Sequence, residues 1–183
     1  MGRIFLTAFM LLLLAASTAF AAAPRVGVLY MNNARTTYDE AMDKKLLKNV
    51  KKVLSPKYEY VRADEERLRD MGMTDLAMAE RRDIIDAFRD ERFDYILCLS
   101  VEPLVRRERF SVFTQGIDIT VTVPLKLIRV ADDRYLYNGK LVEKQSDSTI
   151  IGSVGNKSVT LKALDKINKS VKKILGDKLS SKK

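Results

Sequence analysis

The stretch Ile117-Asp118-Ile119-Thr120-Val121-Thr122-Val123-Pro124-Leu125-Lys126-Leu127-Ile128 decides the fold. Ile117, Ile119, Val121, Val123, Leu125 and Leu127 alternate with Asp118, Thr120, Thr122, Pro124, Lys126 and Ile128. Side chains on a strand point to opposite faces in turn, so a period of two over eleven residues predicts a strand with one covered face. Pro124 has no N–H to give to a ladder, which predicts an edge position or a bulge there. Asp132-Asp133 supplies a turn, and Arg134 to Gln145 returns as the second strand of an antiparallel hairpin.

Upstream the pattern is different. Arg25-Val26-Gly27-Val28-Leu29-Tyr30 and Asp94-Tyr95-Ile96-Leu97-Cys98-Leu99-Ser100 are short, nearly continuous apolar runs, as in strands buried on both faces. Tyr58 to Val61 is a further strand between them. Tyr38, Met42, Leu46, Val50, Val53 and Leu54 recur at three- and four-residue steps, one face of a helix that Pro56 ends. Thr37-Tyr38-Asp39-Glu40 has capping-box spacing, with Thr37 as N-cap and Glu40 reaching back. A second helix, capped by Thr74, is expected to bury Leu76, Ala77, Ile84, Ile85 and Phe88. After the hairpin, a polar connection over 146–156 leads to a last helix with Ser158 as N-cap. Its stripe is Leu161, Leu164, Ile167, Val171, Ile174 and Leu175, with Gly176 as the expected C′ residue and 177–183 as a basic, disordered tail. The fold class that follows is α/β with a mixed sheet, a single two- or three-layer domain over 24–176. Its order is β-α-β-α-β-β-β-α, with a short strand within 103–113.

This order resembles a group of small envelope domains: the amino-terminal domain of TolB, the core of CsgG and the domain of LpoB. The resemblance is carried by Val26-Gly27-Val28-Leu29, by Ala79-Glu80 with Phe93-Asp94-Tyr95-Ile96-Leu97, by Ile119 to Val130 and by Ser158 to Leu175. It implies a docking or assembly module of the cell envelope. The sequence departs from the lipoprotein members of that group in having no cysteine at the junction that follows its leader.

The leader itself is legible. Gly2-Arg3 is a short positive region, Ile4 to Ala16 is apolar, and Ser17-Thr18-Ala19-Phe20-Ala21-Ala22-Ala23 is small and polar. Residues 1–21 therefore read as a signal peptide with cleavage near 21–23. The rival reading is an uncleaved anchor, since Ile4 to Ala23 is just long enough to cross a bilayer. No later apolar run has membrane length. The expected location is exported, periplasmic or extracellular, and envelope-associated.

Composition narrows the chemistry. Among 183 residues there is no histidine, no tryptophan and one cysteine, Cys98. Without His there is no Ser-His-Asp or Cys-His nucleophilic dyad and no histidine general base. One Cys rules out an intrachain disulfide and every Cys-pair zinc site. No cofactor or metal is implied, and the expectation is a protein that is not an enzyme. Lys and Arg number 33 against 24 Asp and Glu, a net of +9. Loss of Arg3 with the leader leaves 32 against 24, or +8. Export makes nucleic acid a poor partner for that charge; an envelope protein, an anionic surface polymer or lipid headgroups are better ones, with self-association open.

Three groups of residues are candidates for contact. Asn32, Asn33 and Arg35 follow the first strand, and Ser100, Glu102 and Arg106 follow the third, where open α/β sheets bind ligands. They could hold an anionic or carbohydrate ligand, the alternative function, or Asn32 and Asn33 could simply form a turn. Arg106-Arg107-Glu108-Arg109 is either a docking patch or a charged edge that discourages strand pairing. Lys44, Lys45, Lys48, Lys51 and Lys52 on the first helix, and Lys162, Lys166, Lys169, Lys172 and Lys173 on the last, would make one basic surface if both helices lie on one sheet face. Otherwise they are two solvated faces. Residues 62–94, by contrast, carry eleven acidic and seven basic side chains. Gly152 to Ser158 lacks P-loop spacing and reads as a loop. Cys98 reads as a buried hydrophobe, with intermolecular pairing as the other option. Asn156 and Asn168 begin glycosylation sequons short enough to arise by chance.

Overall fold

β1 (Arg25–Asn32) lies between β2 (Glu59–Arg62) and β3 (Tyr95–Val101) and is parallel to both. This is seen in a computed structural model of the chain, which describes residues 22–111, 114–150 and 155–180. β5 (Gln115–Arg129) runs antiparallel to β3 and pairs along its whole length with β6 (Arg134–Thr149). On its other side β5 is paired by β3 over Leu125–Arg129 and by β4 (Val105–Phe110) over Gln115–Thr120.

The long apolar runs are buried on both faces because each face has its own cover. Val26, Val28, Tyr30, Leu97, Leu99 and Val101 join Ile117, Ile119, Val121, Val123, Leu125 and Leu127 in one core. It is closed by α1 (Asp39–Leu54) and α4 (Asn156–Ser180). Leu29, Met31, Ile96, Cys98 and Ile128 face the second core, under the segment 63–93 that holds α2 (Glu66–Asp70) and α3 (Arg81–Ala87). That second cover does not extend over β4 and the far half of the β5–β6 hairpin, where Val105 and Val142 are exposed. The domain is thus three layers thick over β1 and β3 and two layers thick beyond them, so each expected thickness holds in its own place.

α1 and α4 lie side by side and run parallel. Near their starts the Tyr38 and Thr160 hydroxyls are 3.2 Å apart. Midway, Asn49 Nδ2 donates to the Asn168 carbonyl at 3.2 Å and Lys45 Nζ meets Asp165 at 2.8 Å. Beyond the end of α1, Tyr58 Oη donates to the Leu179 carbonyl at 2.8 Å.

Several local expectations are corrected. The first helix is not capped by Thr37: Tyr38 stands at the N-cap without a side-chain capping bond, and the reciprocal bonding lies one residue earlier. Thr36 N and Oγ1 both donate to Asp39 Oδ1, and Thr36 Oγ1 accepts from Tyr38 N. The helix expected after Thr74 is divided: Asp75 Oδ1 accepts from Ala77 N and closes a turn, so helix resumes only at Arg81. Pro124 is neither at an edge nor in a bulge. It lies where the β3 register has ended at Leu125 and the β4 register has not begun, so its missing N–H falls at the handover. The bulge lies instead opposite Leu127 and Ile128, where Leu136 is the extra residue of β6. The last helix begins at Asn156, not Ser158, and continues through Gly176 to Ser180. Residues 1–21, 152–154 and 181–183, on which the leader, part of the glycine loop and the end of the tail fall, lie outside the described residues.

Candidate functional site

The outer surface of the α1–α4 layer gathers the charge. From Asp39 to Lys57 and from Asn156 to Ser180 there are thirteen lysines against five acidic residues. Because helix neighbours recur every three or four residues, Lys44, Lys48 and Lys51 share one stripe of α1, and Lys162, Lys166, Lys169 and Lys173 one stripe of α4. All of these are exposed, as is Lys52. The apolar stripes of both helices are spent on the first core, so the lysines are left facing water.

Pairing separates the lysines further. Lys45 meets Asp165, and Lys162 Nζ meets Asp147 at 3.0 Å. Lys51 stands 5.9 Å from the centre of the Tyr60 ring. Among the described residues no ion pair engages Lys44, Lys48, Lys52, Lys166, Lys169, Lys172 or Lys173. The condition set by the sequence is met: both lysine-rich helices lie on one face of the sheet. Their carboxyl ends also point the same way, so Lys51, Lys52, Lys172 and Lys173 sit where two helix dipoles are negative.

The strand-end residues do not converge. Asn32 points to the helical layer, where its Nδ2 donates to Asp43 Oδ1 at 2.6 Å beside the Tyr30 hydroxyl at 2.8 Å. Burial first, and Asp43 second, push the Tyr30 hydroxyl far above its ordinary pKa. Asn32 Oδ1 also accepts from Ala34 N, the turn-forming role. Asn33 N donates to the Val101 carbonyl, which ties the loop to β3. Ser100 lies on the opposite face with Cys98 and is buried, and Glu102 is held by Lys140 at 2.7 Å. Arg35 is exposed at a left-handed φ of 54°. A shared ligand site for these residues is therefore not formed.

The arginine cluster is also divided by the pleat. Arg106 pairs with Glu108 and its Nε donates to Asn156 at the start of α4. Arg107 and Arg109 face the bare side of the sheet, where Arg109 Nε approaches Asp118 at 2.8 Å. Every residue of β4 is exposed, which fits the charged-edge reading. Cys98 is 2% exposed and burial pushes its thiol up to about 12, so the fold offers no thiolate for intermolecular pairing. Asn168 is buried between the helices, and its sequon is inaccessible.

Two ions escaped the sequence reading because they stand on the polar side of the decisive strand. Asp118 is met by Arg109 and by Lys144 Nζ at 2.7 Å. Hydrogen bonds from Lys144 and Ser146 hold its carboxyl below the ordinary 3.8. Arg129 does the same for Asp132, and Lys162 for Asp147. A carboxyl depressed by folding stabilises above its unfolded pKa, and that contribution fades as pH falls through the folded one. The melting temperature is expected to fall below about pH 4, and less steeply in Asp118→Asn; identical acid limbs would remove Asp118 from the account. Lys126 Nζ, the second ion, donates to the carbonyls of Leu76 at 3.0 Å and Ala79 at 2.6 Å.

No protein-family model matches the chain, and no curated protein matches it by sequence. Solved structures do. The hypothetical protein CT253 from Chlamydia trachomatis is similar over 82% of this chain and 96% of its own, at 11% identity and a TM-score of 0.51. TolB from Acinetobacter baumannii is matched over 86% of this chain and 28% of its own, at 12% identity and a TM-score of 0.44. The LpoB C-terminal domain from Salmonella enterica is matched over 70% and 88%, at 15% identity and a TM-score of 0.37. The likeness is one of fold. Among the described residues no three His, Cys, Asp or Glu gather as a metal would need, and no helix is long and apolar enough to cross a membrane.

Proposed function

We propose that this is a non-enzymatic, exported cell-envelope protein that docks through the lysine face of the α1–α4 layer onto an anionic surface or an acidic envelope partner. The observation that carries the reading is the collection of exposed lysines on one face, most without an ion partner among the described residues. Lysine suits such a surface, since a compact, strongly hydrated charge attracts diffusely where arginine would bind in a fixed fork. The leader supports export, and the resemblance of the element order to the TolB and LpoB group supports the envelope.

Sedimentation with vesicles of phosphatidylglycerol and phosphatidylcholine tests the surface. Binding is expected to rise with the anionic fraction and to weaken with salt. Each lysine near such a surface contributes about 1 kcal/mol, so Lys48→Gln with Lys169→Gln is expected to lower affinity about thirtyfold. Crosslinking in cells tests the protein partner. A protein that neither sediments with anionic vesicles nor crosslinks to an envelope component would sink the proposal.

A further inference from the structure

Where α1 and α4 end together they leave a groove of about 430 Å³. Its walls are apolar: Val53 and Leu54 from α1, Leu175 and Leu179 from α4, and Tyr58 at the entry to β2. Its rim is cationic, with Lys52, Lys57 and Lys172. All three are exposed, and among the described residues no ion pair engages them. The hydrogen bond from Tyr58 to the Leu179 carbonyl fixes one end of the groove.

One residue in the wall is unusual. Gly176 lies inside α4, where glycine costs about 1 kcal/mol relative to alanine. A Cβ placed on it would meet nothing within 4 Å, so no neighbouring atom requires the glycine. Its effect is to leave the wall of the groove open at that point. An apolar trough of this size, with three unpaired ammonium groups at its mouth, matches a ligand with an aliphatic chain and an anionic head. The two features call for opposite ends of the same molecule.

The geometry points to a binding site for a single-chain anionic amphiphile, its chain along Leu54, Leu175 and Leu179 and its head among Lys52, Lys57 and Lys172. This goes beyond surface docking and uses other residues than the Lys48 and Lys169 stripes.

Isothermal titration of the purified protein with dodecanoate, below its micelle concentration, is expected to show one saturable site. Lauroyl lysophosphatidylglycerol presents the same chain on a membrane-derived head; whichever of the two binds tighter identifies a lipid or a free-acid source. Dodecyltrimethylammonium, with the same chain and the opposite charge, is expected to bind at least tenfold more weakly. Gly176→Leu fills the trough and favours helix, so it is expected to lower dodecanoate affinity at least tenfold while the melting temperature holds or rises. Changing Lys52, Lys57 and Lys172 together to Gln is expected to abolish the preference for anion over cation. No saturable binding of either anion, or unchanged affinity in Gly176→Leu, overturns the site. Vesicle sedimentation of the Lys48→Gln/Lys169→Gln protein reports separately on surface docking, so either reading can fail alone.

Discussion

Gly27→Val is expected to cost about 4 kcal/mol and to leave little folded protein at 37 °C. Gly27 is in the middle of β1, opposite Val61 of β2 and Ile96 of β3, where the backbone cannot step aside without losing two ladders. A Cβ there would overlap the Cδ2 and Cε2 carbons of Phe93 and lie 2.9 Å from its Cγ. The ring has nowhere to go. It is 5% exposed, packs against Phe88 with centroids 6.3 Å apart, and carries the Arg25 guanidinium 5.4 Å from its centre. The smaller Gly27→Ala is expected to cost about 2 kcal/mol, by overpacking alone. If the clash is with Phe93, adding Phe93→Ala to Gly27→Ala recovers at least 1 kcal/mol relative to the sum of the two single losses. Urea unfolding followed by circular dichroism measures the four variants and the wild type. A Gly27→Val midpoint equal to that of the wild type would falsify the close stacking of Phe93 on this strand.

The second large effect is expected at Lys126. Its ammonium is buried under the turn at 75–79 and is the donor that satisfies two backbone carbonyls there. Lys126→Ala removes that donor and the packed stem together, and the expected loss is about 3 kcal/mol. Lys126→Met restores the stem, so its loss is expected to be smaller and to report the carbonyls alone. The buried charge has its own pH signature. Burial holds the Lys126 pKa below 10.5, so the folded state binds fewer protons than the unfolded one just under that value. Stability of the wild type relative to Lys126→Met is therefore expected to rise as pH climbs towards 10.5. Hydrogen exchange would place the damage: amides of Met78 and Ala79, which donate to the Asp75 carbonyl, are expected to lose protection first.

Both residues show what a linear reading can reach. The alternation from Ile117 to Leu127 named the long strand and its buried face, because a period of two belongs to no other regular structure. The continuous runs at Val26 and Ile96 announced burial on both faces, and the two cores supplied it. What failed was punctuation that depends on side-chain partners. Thr36 rather than Thr37 took the capping bonds because Asp39 lies three residues from it as Glu40 does from Thr37, and spacing alone cannot rank the two. Gly176 resembled a helix stop, yet Leu179 beyond it is buried in the core and holds the helix together through that point. The lysine face was legible as a condition on two helices, and only their shared sheet face met it. The strand-end site failed for the reason that made the strand visible: with side chains alternating, Asn32 and Ser100 were committed to opposite faces.

The position of α4 has a consequence for how the chain is made. It is the last element among the described residues, twenty-five residues long, and Val159, Ala163, Leu164, Ile167, Val171 and Leu175 complete the core begun by Val26. Until those residues leave the ribosome, the larger core has half a lid, and β5 exposes its apolar row.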